Sequence, residues 1–224
     1  LKIKKARGIN MKQPAIQPNS QPTSELMLRE TASQTAGPYV HIGLALAAAG
    51  NPVRDEEIWN EMAKPDAQGE QIEVVGTVID GNGDLVRDAF VEAWQADANG
   101  NYQADYDLGK PFNSFGRTAT TFDHGSEWSL TTIKPGAVKH PSGQLMAPHI
   151  NLTLFARGVN LHLQTRLYFD DEAEANAQCP VLSRIESPTR RQTLIAKREE
   201  VEGKVRYRLD IRLQGEGETV FFDF

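Results

Sequence analysis

The stretch Met146-Ala-Pro-His-Ile-Asn-Leu-Thr-Leu-Phe155 decides the fold. His149, Asn151 and Thr153 alternate with Ile150, Leu152 and Leu154. A period of two is that of a β-strand, whose successive side chains point to opposite faces. The apolar face belongs in a core, and the polar face lines either solvent or a site. Two His residues two apart on such a face would stand side by side as metal ligands. Here the second place holds Asn151, whose amide is a poor ligand. That residue turns the reading from a metalloenzyme toward the partner of one.

Segments with strand character lie on both sides, separated by turn signals. Residues 72–79 are rich in β-branched side chains. Asp80-Gly-Asn-Gly-Asp84 reads as a hairpin turn. A calcium loop would need a later Glu and flanking helices, which are missing. Residues 87–95 then read as the return strand. Ala96-Asp-Ala-Asn-Gly-Asn101 turns again and delivers Tyr102. Residues 103–126 and 138–145 read as loops, and residues 127–133, 161–169, 204–213 and 218–224 as strands. Residues 170–202 read as helical, with Ser187-Pro188 as N-cap and first helical residue. Nearer the start, residues 55–63 predict a short amphipathic helix, with acids at its beginning and Ile58, Trp59 and Met62 on one face. Gly37-Pro38 predicts a rigid turn that presents Tyr39 within a surface loop over residues 31–42. Many short strands with turns between them imply a mainly β fold. The expectation is a β-sandwich core of mixed or antiparallel sheets, with short helices and long loops.

A chain of 224 residues is long enough for one domain with a sizeable core. Residues 1–23 carry Lys2, Lys4, Lys5, Arg7 and Lys12 and no acid. They read as a flexible basic tail ahead of a domain over residues 24–224. A transit peptide shares the acid-free composition, but it would be amphipathic, and this Gln- and Pro-bearing stretch is not. The remainder holds 19 bases against 30 acids, a balance of −11 within a net charge of −6. An acidic body argues against nucleic acid as a partner. It also means that an anionic small substrate needs a locally placed cation. No apolar run reaches the length of a membrane span. The single cysteine, Cys179, allows no internal disulfide and fits a reducing cytoplasm. It reads as a small buried side chain. There is no Gly-rich phosphate loop, no HExxH, no paired-Cys zinc pattern and no GxSxG elbow. His41, His124, His140 and His162 read as structural.

An ordered set of motifs says more than any single residue. It runs Val75-Gly-Thr-Val-Ile-Asp-Gly-Asn-Gly83, Val91-Glu-Ala-Trp-Gln-Ala-Asp97, Gly100-Asn-Tyr102, Thr132-Ile-Lys-Pro-Gly136 and Pro148-His-Ile-Asn-Leu152. In this order the motifs resemble the intradiol ring-cleaving dioxygenases. Gln34-Thr-Ala-Gly-Pro-Tyr-Val-His-Ile-Gly43 and the terminal Thr219-Val-Phe-Phe-Asp-Phe224 resemble the α chains of the two-chain members of that family. The resemblance covers residues 25–224 and leaves the basic tail outside.

The resemblance implies a site and a partner. The catalytic β chains of such enzymes hold a non-haem Fe(III) with two Tyr and two His. Tyr102 matches the first Tyr ligand and His149 the first His. Val138 and Asn151 stand where the second Tyr and second His would be, Met146 stands for an Arg, and Arg166 for a Gln. The implication is a degenerate site: no metal ligand set and no catalytic residue in this chain alone, with the iron held by a β subunit. The two chains form αβ protomers within a larger oligomer, and the α chain lends residues to the pocket around the β iron. Thr35, Gly37, Pro38 and Tyr39 match that lining segment, and Arg157 matches an Arg that reaches the same pocket. A guanidinium suits a carboxylate. The implied substrate is 3,4-dihydroxybenzoate, a small aromatic carboxylate. O2 opens its ring between the two hydroxyl-bearing carbons to give 3-carboxy-cis,cis-muconate, in the β-ketoadipate pathway of aromatic catabolism. Two rivals stand beside this reading. One is a binding or structural β-sandwich that has left the enzyme. The other is a self-sufficient metalloenzyme that recruits His140 or His162 as a substitute ligand.

Overall fold

The alternating stretch is a strand, β7 (His149–Phe155), and it buries Ile150, Leu152 and Leu154. The computed structural model describes residues 35–223 apart from Pro38, Glu56 and residues 121–124. Residues 1–23, Pro38 and His124 therefore lie outside the described residues. β7 pairs antiparallel with β2 (Phe90–Gln95) on one side and β8 (Leu163–Phe169) on the other. Past β2 comes β3 (Phe115–Ala119). Past β8 the sheet continues through β9 (Ile195–Val201), β10 (Lys204–Arg208) and β1 (Gln71–Ile79) to β4 (Glu127–Ile133). β11 (Ile211–Arg212) takes over from β10 along the same edge of β1. The nine strands mix parallel pairs, β1 with β10 and β8 with β9, among antiparallel ones.

The sheet curls until its two ends meet. Ser129 N on β4 donates to Thr118 Oγ1 on β3 at 3.2 Å. The core fills the curl, with Val74, Leu130 and Tyr207 from one half packed against Val91, Leu152 and Leu167 from the other. Burial of this apolar surface is the main stabilising term. The mainly β architecture expected from the sequence is thus present. β1 crosses its neighbours closely at Gly76. A Cβ there would lie 1.9 Å from the Leu209 carbonyl oxygen and 2.8 Å from Trp128 Cζ2. Among the described residues no helix is long and apolar enough to cross a membrane.

Several local expectations are corrected. Residues 59–63 are extended and lie between β3 and β4. Arg117 N donates to Trp59 O, Asn113 N and Met62 N bond to Met62 O and Thr131 O, and Thr131 N donates to Asn60 O. Two strand edges thus satisfy the backbone of a segment too short to hold a helix by itself. The turn at residues 80–84 forms, with Asp80 Oδ1 accepting from Asn82 N and Asp84 N. The return lasts only to Val86 N, which donates to Val78 O, and β2 then pairs with β3 and β7 instead of β1. The loop over residues 103–126 contains β3. The loop over residues 138–145 is a hairpin of β5 (Val138–Lys139) and β6 (Leu145–Met146). Tyr39–Leu44 forms a short helix, α1, where a loop was expected.

Residues 170–202 are helical only in part. α2 (Ala173–Gln178), a 3₁₀ turn (Leu182–Arg184) and α3 (Pro188–Gln192) come first. Ser187 caps α3 by accepting from Arg190 N, with Pro188 next, as expected. β9 then reverses into β10 through Glu202 and Gly203, both at positive φ (53° and 76°). That is the two-residue hairpin geometry whose twist matches the strands. The strand expected over residues 204–213 breaks between β10 and β11. The expected terminal strand makes a single bridge, Gln164 to Phe222.

Candidate functional site

The four positions that the sequence resemblance matches to iron ligands, Tyr102, Val138, His149 and Asn151, come together near Arg166. Val138 on β5 lies opposite Met146 on β6. Met146 Sδ accepts from Arg166 Nη1 at 3.5 Å. Arg166 on β8 lies opposite Asn151 on β7. Asn151 Nδ2 donates to Tyr102 OH and to Trp94 O, each at 3.1 Å. His149 stands two residues before Asn151 on the same strand, and its ring packs at 5.6 Å from that of Tyr168. Asp97 Oδ1 shapes the turn that delivers Tyr102 by accepting from Asn99 N and Asn101 N. Tyr102 also stacks on Trp94, with ring centroids 6.1 Å apart and planes 11° apart.

The chemistry of these groups does not suit a ferric ion. His149 Nδ1 bonds the Ala147 carbonyl at 2.7 Å; a carbonyl can only accept, so Nδ1 carries the proton. Burial, and then the Arg166 charge, pull the His149 pKa down to about 4 against the pull of that carbonyl. His149 Nε2 is buried without a hydrogen-bond partner. Burial raises the Tyr102 pKa, with the Asn151 hydrogen bond and the Arg166 charge opposing, so its oxygen stays a phenol. Val138 offers no donor atom. Arg166 holds a permanent positive charge beside the cluster and also bonds Tyr168 OH at 3.4 Å. A metal ion would need anionic or lone-pair donors where this chain has an alkyl group, an engaged amide and a guanidinium. His140 and His162 do not repair the set. His140 Nδ1 bonds Ser142 Oγ within its own turn, and His162 bonds Gln164 and packs on Phe155. Among the described residues no group of three or more His, Cys, Asp or Glu is placed to hold a metal. Cys179 is a buried free thiol 4.0 Å from Tyr168 OH, in keeping with a small core side chain.

A second cluster gathers the residues expected to line a pocket. Arg157 sits in the turn after β7, and Gly158 beyond it has φ +84°. Thr35 Oγ1 accepts from Gly158 N at 2.7 Å and reaches the Ala156 carbonyl at 3.4 Å. Arg157 Nε bonds Asp88 Oδ2. Gly37, His41, Asp88, Phe155 and Arg157 line one small concavity. Tyr39, on α1, is 81% exposed and takes no part in it. His41 is held below its ordinary pKa, chiefly by burial, with Asp88 opposing and Arg157 assisting. The structure thus joins Thr35, Gly37 and Arg157 and leaves Tyr39 on the outer side of the helix. Sequence reasoning missed Asp88, one acid among several near a turn. The signal available was its place two residues before β2, whose neighbour β7 ends two residues before Arg157.

Comparison with known proteins bears on the family of the whole chain. A family model described as Dioxygenase matches residues 44–215. The protocatechuate 3,4-dioxygenase alpha chain of Pseudomonas putida is 72% identical over 198 residues, 88% of this chain and 98% of that one. The alpha chain of Burkholderia cepacia is 42% identical over 199 residues, with the same two coverages of 88% and 98%. The Burkholderia cepacia beta chain is 36% identical over 118 residues, 49% of each chain. Among solved structures, 3-chlorocatechol 1,2-dioxygenase from Rhodococcus opacus 1CP shares the fold with a TM-score of 0.54 at 18% identity, over 77% of each chain. Hydroxyquinol 1,2-dioxygenase from Pseudomonas putida DLL-E4 gives 0.52 at 20% identity, over 72% of this chain and 61% of that one.

Proposed function

Because this chain belongs to the intradiol dioxygenase family, among the alpha chains of protocatechuate 3,4-dioxygenase, we propose that it is the non-iron subunit of such an enzyme. With a beta subunit it cleaves protocatechuate (3,4-dihydroxybenzoate) between the two hydroxyl-bearing carbons. Both atoms of O2 enter the product, 3-carboxy-cis,cis-muconate. The family implies a non-haem iron, and that ion resides in the beta partner, where it activates the catechol toward O2. The observation that carries this reading is the bond between Asn151 and Tyr102 beside the Arg166 guanidinium. Donors that would have to face a metal are spent on each other.

This chain contributes the wall of the partner's pocket. Thr35 and Gly37, with the exposed Tyr39 beside them, supply that lining, and Arg157 meets the substrate carboxylate with a charge-assisted hydrogen bond. In a chain of net charge −6 a local cation is what draws an anion in. The αβ protomers assemble further, in a reducing cytoplasm that suits the free Cys179 thiol.

The test compares this chain expressed alone with the two-chain enzyme. Iron content and turnover of protocatechuate are measured in each. Iron and turnover are expected only when the beta subunit is present. Stoichiometric iron together with turnover in this chain alone would refute the assignment.

A further inference from the structure

Arg157 is held by two anchors on its own chain. Thr35 bonds the backbone on both sides of it, at Ala156 O and Gly158 N. Asp88 takes the side chain at Nε. A guanidinium has five N–H donors in a rigid plane. With Nε committed, the four N–H groups on Nη1 and Nη2 remain as a fork whose spacing matches a carboxylate. The Arg157 side chain is 64% exposed and that of Asp88 only 21%, so the acid is the inner member and the arginine the outward one. A pair this exposed contributes little to stability. What it supplies is orientation, since a free Arg side chain spreads over many rotamers. His41, which lines the same concavity, has its pKa lowered chiefly by burial, with Asp88 opposing and Arg157 assisting.

We propose that Asp88 is a positioning residue for substrate recognition: it holds Arg157 by Nε so that Nη1 and Nη2 present a two-point fork to the carboxylate of the aromatic substrate in the partner's pocket. This rests on the reading of Arg157 given above.

The test uses the reconstituted two-chain enzyme carrying wild-type chain, Asp88→Asn, Arg157→Ala or both. KM and kcat are read separately for 3,4-dihydroxybenzoate and for catechol, which has no carboxylate. Asp88→Asn is expected to raise KM for the carboxylated substrate about three- to tenfold, less than the loss of a whole charge-assisted contact. Its kcat and its KM for catechol stay at wild-type values. In the Arg157→Ala background Asp88→Asn adds nothing. Asp88→Ser serves as a second variant with the same expectations. If Arg157→Ala raises KM but the Asp88 variants leave it unchanged or lower it, positioning is overturned and the Arg157 reading stands. A fall in KM would mean that Asp88 competes with substrate for the guanidinium. If Arg157→Ala itself leaves both substrates unaffected, the pocket reading fails and the role of Asp88 falls with it.

Discussion

The amide nitrogen of Asn151 donates to the hydroxyl of Tyr102 at 3.1 Å. Both side chains stand at positions that the family resemblance matches to iron ligands. Here each is the other's hydrogen-bond partner. The neighbouring guanidinium of Arg166 adds a fixed cation to the same cluster. The cluster therefore holds its phenol and amide against each other beside a permanent positive charge.

Restoring donors should not be enough to restore metal. Val138→Tyr combined with Asn151→His returns a phenol and an imidazole. A triply charged ion at roughly 5 Å from a guanidinium is repelled by on the order of 10 kcal/mol at an effective dielectric of about 20. The double variant is expected to stay iron-free, and a triple variant with Arg166→Gln to take up iron. Metal analysis and the visible tyrosinate-to-iron charge-transfer band distinguish the two. Full loading with Arg166 in place would contradict the argument.

Arg157→Ala in the two-chain enzyme should discriminate between substrates. One charge-assisted contact is worth about 1.5–3 kcal/mol, less where water reaches it. KM for 3,4-dihydroxybenzoate is expected to rise about tenfold, with a change under about twofold for catechol. Steady-state kinetics on both substrates checks it. Equal changes on the two would mean that the guanidinium does not act through its charge.

His149 should mark the acid limb of the stability curve. Its pKa is about 4 in the folded chain, and the ordinary value is 6.5. Between these values the unfolded chain binds a proton that the folded chain refuses. Stability is whole above pH 6.5 and declines as pH falls toward 4, by up to about 3 kcal/mol from this residue. His149→Gln is expected to flatten that part of a plot of Tm against pH. Parallel acid limbs in variant and wild type would exclude a buried neutral imidazole.

Gly76→Ala should be severe because its Cβ meets backbone. The carbonyl oxygen of Leu209 at 1.9 Å cannot move without parting β1 from β10 and β11. A loss on the order of 3 kcal/mol or more is expected. Gly83→Ala is the contrast: φ is +91° but the space around it is open, so about 1 kcal/mol should suffice. Denaturant midpoints of the two variants decide whether close approach outweighs backbone conformation.

The strand β7 was legible because each of its two faces has a single character. Residues 59–63 were not. Ile58, Trp59 and Met62 have helical spacing, but two strand edges claim the backbone, and no local pattern reports that. Residues 195–201 follow two helices and read Ile-Ala-Lys-Arg-Glu-Glu-Val, a charged run with good helix propensity. The signal that identifies the strand lies just beyond, in Glu202-Gly203 between two runs that pair. Of the site, the matched positions could be named from the sequence. Their grouping around Arg166, and the hold of Asp88 on Arg157, come from residues far apart in the chain that only the folded sheet brings together.

The placement of β1 governs when this molecule can come into being. One of its edges has to wait for Arg206 and Ile211, opposite Glu73 and Val78, so a ribosome has made nearly all of the chain before that edge is covered. Loops this long close slowly, and the nascent β-branched strand stays sticky until they do. The sheet can therefore close around β1 only after β10 and β11 have been made.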